Sequence, residues 1–419
     1  MHLTHTSQVV NTIDNRGSAT QSLASLVSIF CNLACFAVFF TIPFSTALAN
    51  IFIILYLFFM FCLAVCNRSL PVVFNPYLTP VLCLLCVSLT SWALAGGGDD
   101  HYAEVRSMKG HVKLLLLFLL PYTLQAQERF KQAIWCFLMG VFLLIVLKIL
   151  VLLEVGILGS REFKDRIFTG GLVALFIFFA LHLVVTLKST TLRKLLVTHL
   201  GGAIFYLFFL CNGRTGHILM ILLAGLYIFQ APVRHWLKVC FMVFLILVVV
   251  LLSVIPSSFS KRLEQGWSNI TMIAQEGNFN SSVGERVRYS VEGASLLLSK
   301  PVTSKEFWLG FGPSAFGKTY NTNYLDEPVT NPHNQYILTL VEYGVLGLLS
   351  LLSLFAALGW YSFFLPAPYK YLLQGVVVVM AAGCIANSWV SDFTSSAFFI
   401  FLTGALLATR QARTAPSLS

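Results

Sequence analysis

Residues 236–256 read WLKVCFMVFLILVVVLLSVIP, with no charge after Lys238. As a helix this run extends about 30 Å at 1.5 Å per residue, the depth of a bilayer's hydrocarbon core. Comparable apolar runs lie at approximately 24–42, 47–66, 77–95, 112–125, 132–157, 168–187, 195–212 and 216–231 before it, and at 334–364, 371–389 and 394–409 after it. The 419 residues are 57% hydrophobic and 11% charged, which excludes a water-soluble globular domain. The fold expected is an all-α integral membrane protein of about twelve transmembrane helices. Residues 1–256 carry helices one to nine and residues 334–419 carry helices ten to twelve with the C-terminal tail. Between them, residues 257–333 form the only long polar segment, rich in Ser, Asn, Gly and charge; a loop of that size inside a compact protein is usually functional.

The formal net charge is +10, yet Lys and Arg sit in short segments between apolar runs and form no long basic stripe. That pattern argues against nucleic acid and for membrane lipids or phosphates as partners. The ten cysteines lie in or at the ends of apolar runs, Cys83 and Cys86 included, and read as small core residues rather than a redox or zinc motif. Some twenty polar residues precede the first apolar run, so no cleavable signal is expected. Basic residues such as Arg68, Lys131, Lys188, Arg234, Lys370 and Arg413 accumulate on one side of the twelve runs. The positive-inside rule then places both termini in the cytoplasm and residues 257–333 outside it.

Three polar features gather on that outer side. Asn212-Gly213-Arg214-Thr215-Gly216-His217 fills a tight turn, where Arg214 can reach a phosphate at headgroup depth or simply snorkel. Gly284-Glu285-Arg286-Val287-Arg288-Tyr289 opens a short amphipathic helix ending before Pro301, with Val287, Val291, Ala294 and Leu298 on its expected buried face. Arg286 and Arg288 point in nearly opposite directions; Arg288 has Glu292 four residues on, so Arg286 is the better anion ligand. Asn331-Pro332-His333-Asn334-Gln335-Tyr336 is expected to start helix ten with His333 in its first turn. A neutral imidazole there can accept a proton, or the histidine can merely bond a loop.

The stretch from His333 through Tyr336, Glu342 and Gly344 to Gly347 resembles the HNxYL…ExGxxG signature of the O-antigen ligase and polymerase superfamily, with Ile337 in place of the usual Leu. Gly284-x-Arg286 with Tyr289 and Pro301, and Trp308-Leu309-Gly310-Phe311-Gly312-Pro313 with Phe316, are also similar to that superfamily's outer loop. The specific motifs occupy about residues 280–350. The resemblance implies a GT-C-like glycosyltransferase of the bacterial inner membrane, active on the periplasmic side. Its implied donor is an O-antigen polysaccharide on undecaprenyl diphosphate, its acceptor a sugar hydroxyl of lipid A-core, and its chemistry inverting without a nucleotide sugar; no cofactor is expected, and no metal, because the arginines can replace one electrostatically. It further implies His333, Arg214 and Arg286 as catalytic residues. Arg166 matches an outer arginine less closely; Arg161, Arg288, Asn334, Tyr336 and Asp392 complete the expected substrate-binding set.

Other readings compete. Asp99-Asp100-His101-Tyr102-Ala103-Glu104 has oxygen ligands for a hard cation, but three preceding glycines suggest a solvated loop. Asp392 is equally a helix cap. Glu342, Lys148 and His182 lie in apolar sequence, where ionisable groups mark either inter-helix structure or a transport path. A polysaccharide exporter is therefore an alternative, though these scarce charges form no relay, and a polymerase using a similar donor is a nearer one. Binding without catalysis would leave the setting of His333 unexplained.

Overall fold

The computed structural model describes residues 4–69, 72, 75–95, 101–125, 129–154, 164–324 and 329–414, with side chains between 22 and 409. Every regular element among these residues is helical. Among the described residues nine helices are long and apolar enough to cross a membrane, matching expected runs one to three, five to seven and nine to eleven. Runs eight and twelve form shorter apolar helices, Arg214–Gln230 and Phe393–Thr409. Run four differs. It is divided between α4 (His101–Lys113) and the nine-residue α5 (Leu116–Leu124), with tight i→i+3 bonds at Leu114 and Leu115 and Pro121 inside α5. At 1.5 Å per residue α5 is only about 14 Å long. A hydropathy window cannot register such a break, because the apolar composition continues through it.

The first three helices are α1 (Thr4–Thr41), α2 (Thr46–Asn67) and α3 (Thr79–Leu94); α6 (Arg129–Leu152) follows α5. The axis of the bundle is α7 (Arg166–Val184), buried continuously from Phe168 to Ala180. A helix apolar all round is stable only when enclosed, and α7 is packed against α8 (Thr190–Phe205), α9 (Arg214–Gln230) and α16 (Tyr369–Ala386). Close approach uses glycine, as in other membrane bundles. Gly375 of α16 faces the Phe178 ring, and Gly171 faces Trp389. In contrast α10 (His235–Val254) has no buried residue, so its apolar surface is left for lipid.

Several polar residues within the bundle are partnered across helices. His182 Nε2 lies 3.0 Å from Gln230 Oε1, Gln230 donates to Gln374 at 2.6 Å, and Gln374 donates to Ser362 at 3.0 Å. Lys148 donates to the Lys164 carbonyl at 2.7 Å. This satisfies groups that would otherwise be costly in hydrocarbon. All ten cysteines are free.

The described residues of 257–333 form four helices: α11 (Ser258–Glu276), α12 (Gly284–Leu298), α13 (Lys305–Leu309) and α14 (Ala315–Asn323). The face of α12 that is buried is not the expected one. Val287, Val291 and Leu298 are exposed, whereas Gly293, Leu296 and Leu297 are buried. Gly293 is responsible: a Cβ there would lie 2.8 Å from Ile337 and 3.1 Å from Phe316, so its absence lets α12 lie close on α15 (Gln335–Ser362) and α14. A count of apolar side chains does not register this contact, which depends on a missing one.

Glu342 and Gly344 fasten the loop to α15. The helix is interrupted at Gly344, with φ 67° and ψ −166°, which exposes main-chain carbonyls one turn earlier. Phe311 N–H donates to Val341 O at 2.9 Å and Gly312 N–H to Glu342 O at 3.0 Å. Gly310, also at positive φ, lies so close that a Cβ would meet the Glu342 carbonyl carbon at 2.4 Å. Only glycine takes such a conformation without strain. The buried Glu342 carboxylate accepts from Ser107 Oγ at 2.7 Å and from the backbone of Ser314 and Phe316.

Candidate functional site at the loop end of the bundle

The N-termini of α7 and α9 abut. Asp165 caps α7 by accepting from Ile167 N–H at 3.2 Å, and Arg166 is the first helical residue. Arg214 is the first residue of α9, after Gly213. A Cβ on Gly213 would lie 2.5 Å from the Arg166 carbonyl oxygen, so the two helix starts cannot be closer. The positive ends of both helix dipoles meet here and favour an anion; Asp165 supplies a carboxylate to α7, whereas Gly213 gives α9 no side-chain cap.

Two loop helices bring further guanidiniums to these ends. Arg214 is within electrostatic range of Arg262, Arg286 and Arg166. Arg262, on α11, donates to Gln265 Oε1 at 2.9 Å, and Arg214 donates to the same oxygen at 3.5 Å. Asn269, with its amide oxygen towards Arg214, accepts at 3.2 Å. Burial lowers the Arg286 pKa from its ordinary value; Asp165 and Glu285 oppose that and Arg166 adds to it. A guanidinium remains charged regardless. Four arginines thus share one region with two nearby carboxylates.

Arg288 turns elsewhere. Its guanidinium lies 5.4 Å from the Tyr289 ring centroid and interacts electrostatically with Tyr320 and Glu292. Tyr320 itself donates to Glu292. The two arginines of α12 therefore serve opposite sides of it, as their spacing requires.

His333 does not lie in the first turn of helix ten. Asn334 is the N-cap of α15, accepting from Tyr336 and Ile337 N–H at 3.0 and 3.3 Å, which places His333 just outside the helix. An Asn at this position caps better than Asn331 because its side chain faces two free amides. His333 has φ 51°, a left-handed conformation more often tolerated by His and Asn than by most residues. Its N–H donates to Asn331 Oδ1 at 2.9 Å, and Ser388 Oγ donates to the same oxygen at 2.7 Å. The exposed ring has Nδ1 3.2 Å from Asn387 Oδ1, which also accepts from Ser388 N–H at 2.8 Å. An amide oxygen can only accept, so Nδ1 carries a hydrogen, and in the neutral ring the lone pair is then on Nε2.

Packing joins the start of α15 to the helix that carries Arg286. Asn334 Nδ2 donates to Ser290 Oγ at 3.4 Å, and Ser290 lies one turn beyond Arg286 on the same face of α12. On the other side, Gln335 Oε1 accepts from Val390 and Ser391 N–H, both at 3.0 Å. Between these residues Trp389 packs on Phe168 and Gly171, just inside Arg166.

The remaining expected residues have mostly local partners. Tyr336 donates to the Ala381 carbonyl at 2.7 Å. Asp392 caps α17 (Phe393–Thr414), its Oδ2 accepting from Thr394 and Ser395 N–H at 2.9 Å. Next to it the buried Lys164 donates to Thr46 and Thr394 hydroxyls at 2.7 and 3.3 Å; desolvation depresses its pKa to about 8, while Asp392 opposes this. Arg161, Asp99 and Asp100 lie outside the described residues. His101 Nδ1 and Glu104 Oε2 are 3.3 Å apart.

From Arg214 a groove of about 950 Å³ runs between α9, α10 and α11. Ile218, Ile221, Val249, Val254, Leu263 and Trp267 make its walls mainly apolar. One end is therefore cationic and the length is greasy, the arrangement needed to hold a lipid with an anionic head.

Residues 199–352, from α8 through the loop helices to the middle of α15, match the sequence profile of the family described as O-antigen ligase. The chain carries an O-antigen ligase family domain. That family takes in both ligases and polymerases and is a glycosyltransferase-like group of membrane enzymes acting on lipid-linked polysaccharides. No curated protein gives a significant match. Within the O-antigen ligase domain lie Arg214, Arg262, Arg286 and His333, whereas Arg166 and Asn387 are outside it. Arg262 and Asn387 were not singled out from sequence. Arg262 had a faint signal, three residues before Gln265 on an amphipathic helix; Asn387 had none, because it reaches His333 only through the fold.

Proposed function

We propose that this protein is an O-antigen ligase. In this reading it transfers a polysaccharide from undecaprenyl diphosphate to a sugar hydroxyl of lipid A-core at the periplasmic face of the inner membrane, inverting the anomeric centre and needing no metal. The observation that supports it most is the convergence of Arg166, Arg214, Arg262 and Arg286 at abutting helix N-termini, at the mouth of an apolar groove. A prenyl diphosphate has the complementary form, two phosphates on a long hydrocarbon chain.

His333 supplies the second requirement. Its Nε2 lone pair takes the proton of the acceptor hydroxyl as that oxygen attacks the anomeric carbon. The bond from that carbon to the diphosphate oxygen breaks, its electron pair leaves with the diphosphate, and the guanidiniums offset the charge. Four fixed cations can do electrostatically what a divalent ion does in other glycosyl transfers. Chelator should accordingly leave the rate of the purified protein unchanged; strong inhibition reversed by a divalent ion contradicts this mechanism.

The family also takes in polymerases, and one deletion experiment separates the two. Loss of a ligase leaves core-only lipopolysaccharide and long chains stranded on undecaprenyl diphosphate. Core bearing a single repeat would instead identify a polymerase, and donor stranded on the cytoplasmic side an exporter.

A further inference from the structure

Beyond α8 the chain makes one π-turn, Tyr206–Leu210, in which Cys211 N–H bonds Tyr206 O, five residues back, at 2.8 Å. Setting that bond back by one residue leaves later carbonyls of the turn open to side chains of other elements. Two of them are taken. Leu207 O accepts from His217 Nε2 of α9 at 2.8 Å, and Phe209 O accepts from Ser258 Oγ of α11 at 2.9 Å. The His217 ring is buried, stacked on Phe208 and edge-on to Phe259 of α11, with centroids 5.9 and 5.2 Å away.

Each of these anchors lies one turn from a guanidinium of the cationic cluster. Arg214 and His217 are three residues apart on α9, and with Ile218 and Ile221 they line the groove. Ser258 and Arg262 are four residues apart on α11. Side chains at these spacings share one helix face, so a bond at the anchor fixes the roll of its helix and the direction of the arginine beside it. Both anchors end on the same five-residue turn, and both arginines donate to Gln265 Oε1.

We propose that His217 is a positioning residue: by tying α9 to the Leu207 carbonyl it sets Arg214 against Arg262 at the spacing a diphosphate needs. Ser258 is its counterpart on α11. His217 acts through Arg214 and touches no substrate, so the inference rests on reading the arginines as the diphosphate site.

The test uses the full chain in uncharged detergent, titrated with inorganic pyrophosphate and assayed for transfer from polysaccharide on undecaprenyl diphosphate. His217→Phe keeps a ring between Phe208 and Phe259 but cannot donate, whereas His217→Gln keeps a donor. His217→Phe should bind pyrophosphate about tenfold more weakly and lower kcat about tenfold, with KM changed less than about twofold and unfolding temperature retained. His217→Gln should recover most of both losses. In an Arg214→Gln background His217→Phe should cost less than about twofold, because the group it positions is gone. A full loss in that background, or a His217→Phe protein that matches wild type, overturns the proposal alone. Wild-type protein that neither binds pyrophosphate nor transfers glycan would overturn the diphosphate reading and this proposal with it. Should His217→Phe fail to fold, Ser258→Ala, which removes the bond to Phe209, must weaken pyrophosphate binding about threefold or more, and unchanged binding there is equally fatal.

Discussion

Gly170 and Gly216 meet backbone to backbone: a Cβ built on Gly216 falls 2.5 Å from the Gly170 Cα. This contact fixes the distance between the helix starts that bear Arg166 and Arg214. Gly216→Val should force α7 and α9 apart, destabilise the protein by about 1–3 kcal/mol and reduce transfer about tenfold or more. Gly225→Ala is the matched control, since its nearest neighbour would be 3.9 Å away. Thermal unfolding and turnover of both variants check this; a Gly216→Val protein with normal turnover would show that the spacing does not matter.

Removing the imidazole with His333→Ala should cost about a hundredfold or more in turnover, the usual worth of a positioned base. Asn387→Ala should cost less, about tenfold, because the ring remains but its tautomer and direction are no longer held. Circular dichroism should show both variants folded. Full activity in His333→Ala would reject the proton-transfer role.

Arg262 and Arg288 allow a sharper comparison. Arg262→Gln should lower turnover by up to about a hundredfold with little change in unfolding temperature, as for loss of a charge stabiliser. Arg288→Gln should chiefly lower stability, since its neighbours are Tyr289, Tyr320 and Glu292. The reverse pattern would exchange the roles of α11 and of the far side of α12.

Lys164 gives the pH dependence. Its pKa falls from 10.5 unfolded to about 8 folded, mainly through desolvation. The folded protein thus binds fewer protons between about pH 8 and 10.5, so the charged lysine's penalty is full below pH 8 and is relieved as pH rises through that window. Measured against Lys164→Met, the wild-type protein should gain stability from pH 8 to 10.5. A difference independent of pH would mean that Lys164 is solvated.

Much of this was legible in the chain and some was not, for definite reasons. A long apolar run usually dictates a helix by composition alone, as at His235–Val254, although the run at 112–125 is broken. The separation of Arg286 from Arg288 followed from helical geometry. The docked face of α12 did not follow from hydrophobicity, because Gly293 contributes contact by lacking a side chain. The true helix start at Asn334 rather than Asn331 depended on which of two good capping residues faces free amides. Arg262 and Asn387 join the site through tertiary packing, which the sequence marks only faintly for Arg262 and not at all for Asn387.

The break in α15 at Gly344 gives residues 308–312 a berth made of main-chain atoms. An anchorage of that kind asks for glycine at 310 and 344, and its bonds come from main-chain atoms rather than side chains. Side chains along 308–312 can therefore be exchanged without removing those bonds, and the mooring keeps the bearing of the whole loop over the bundle.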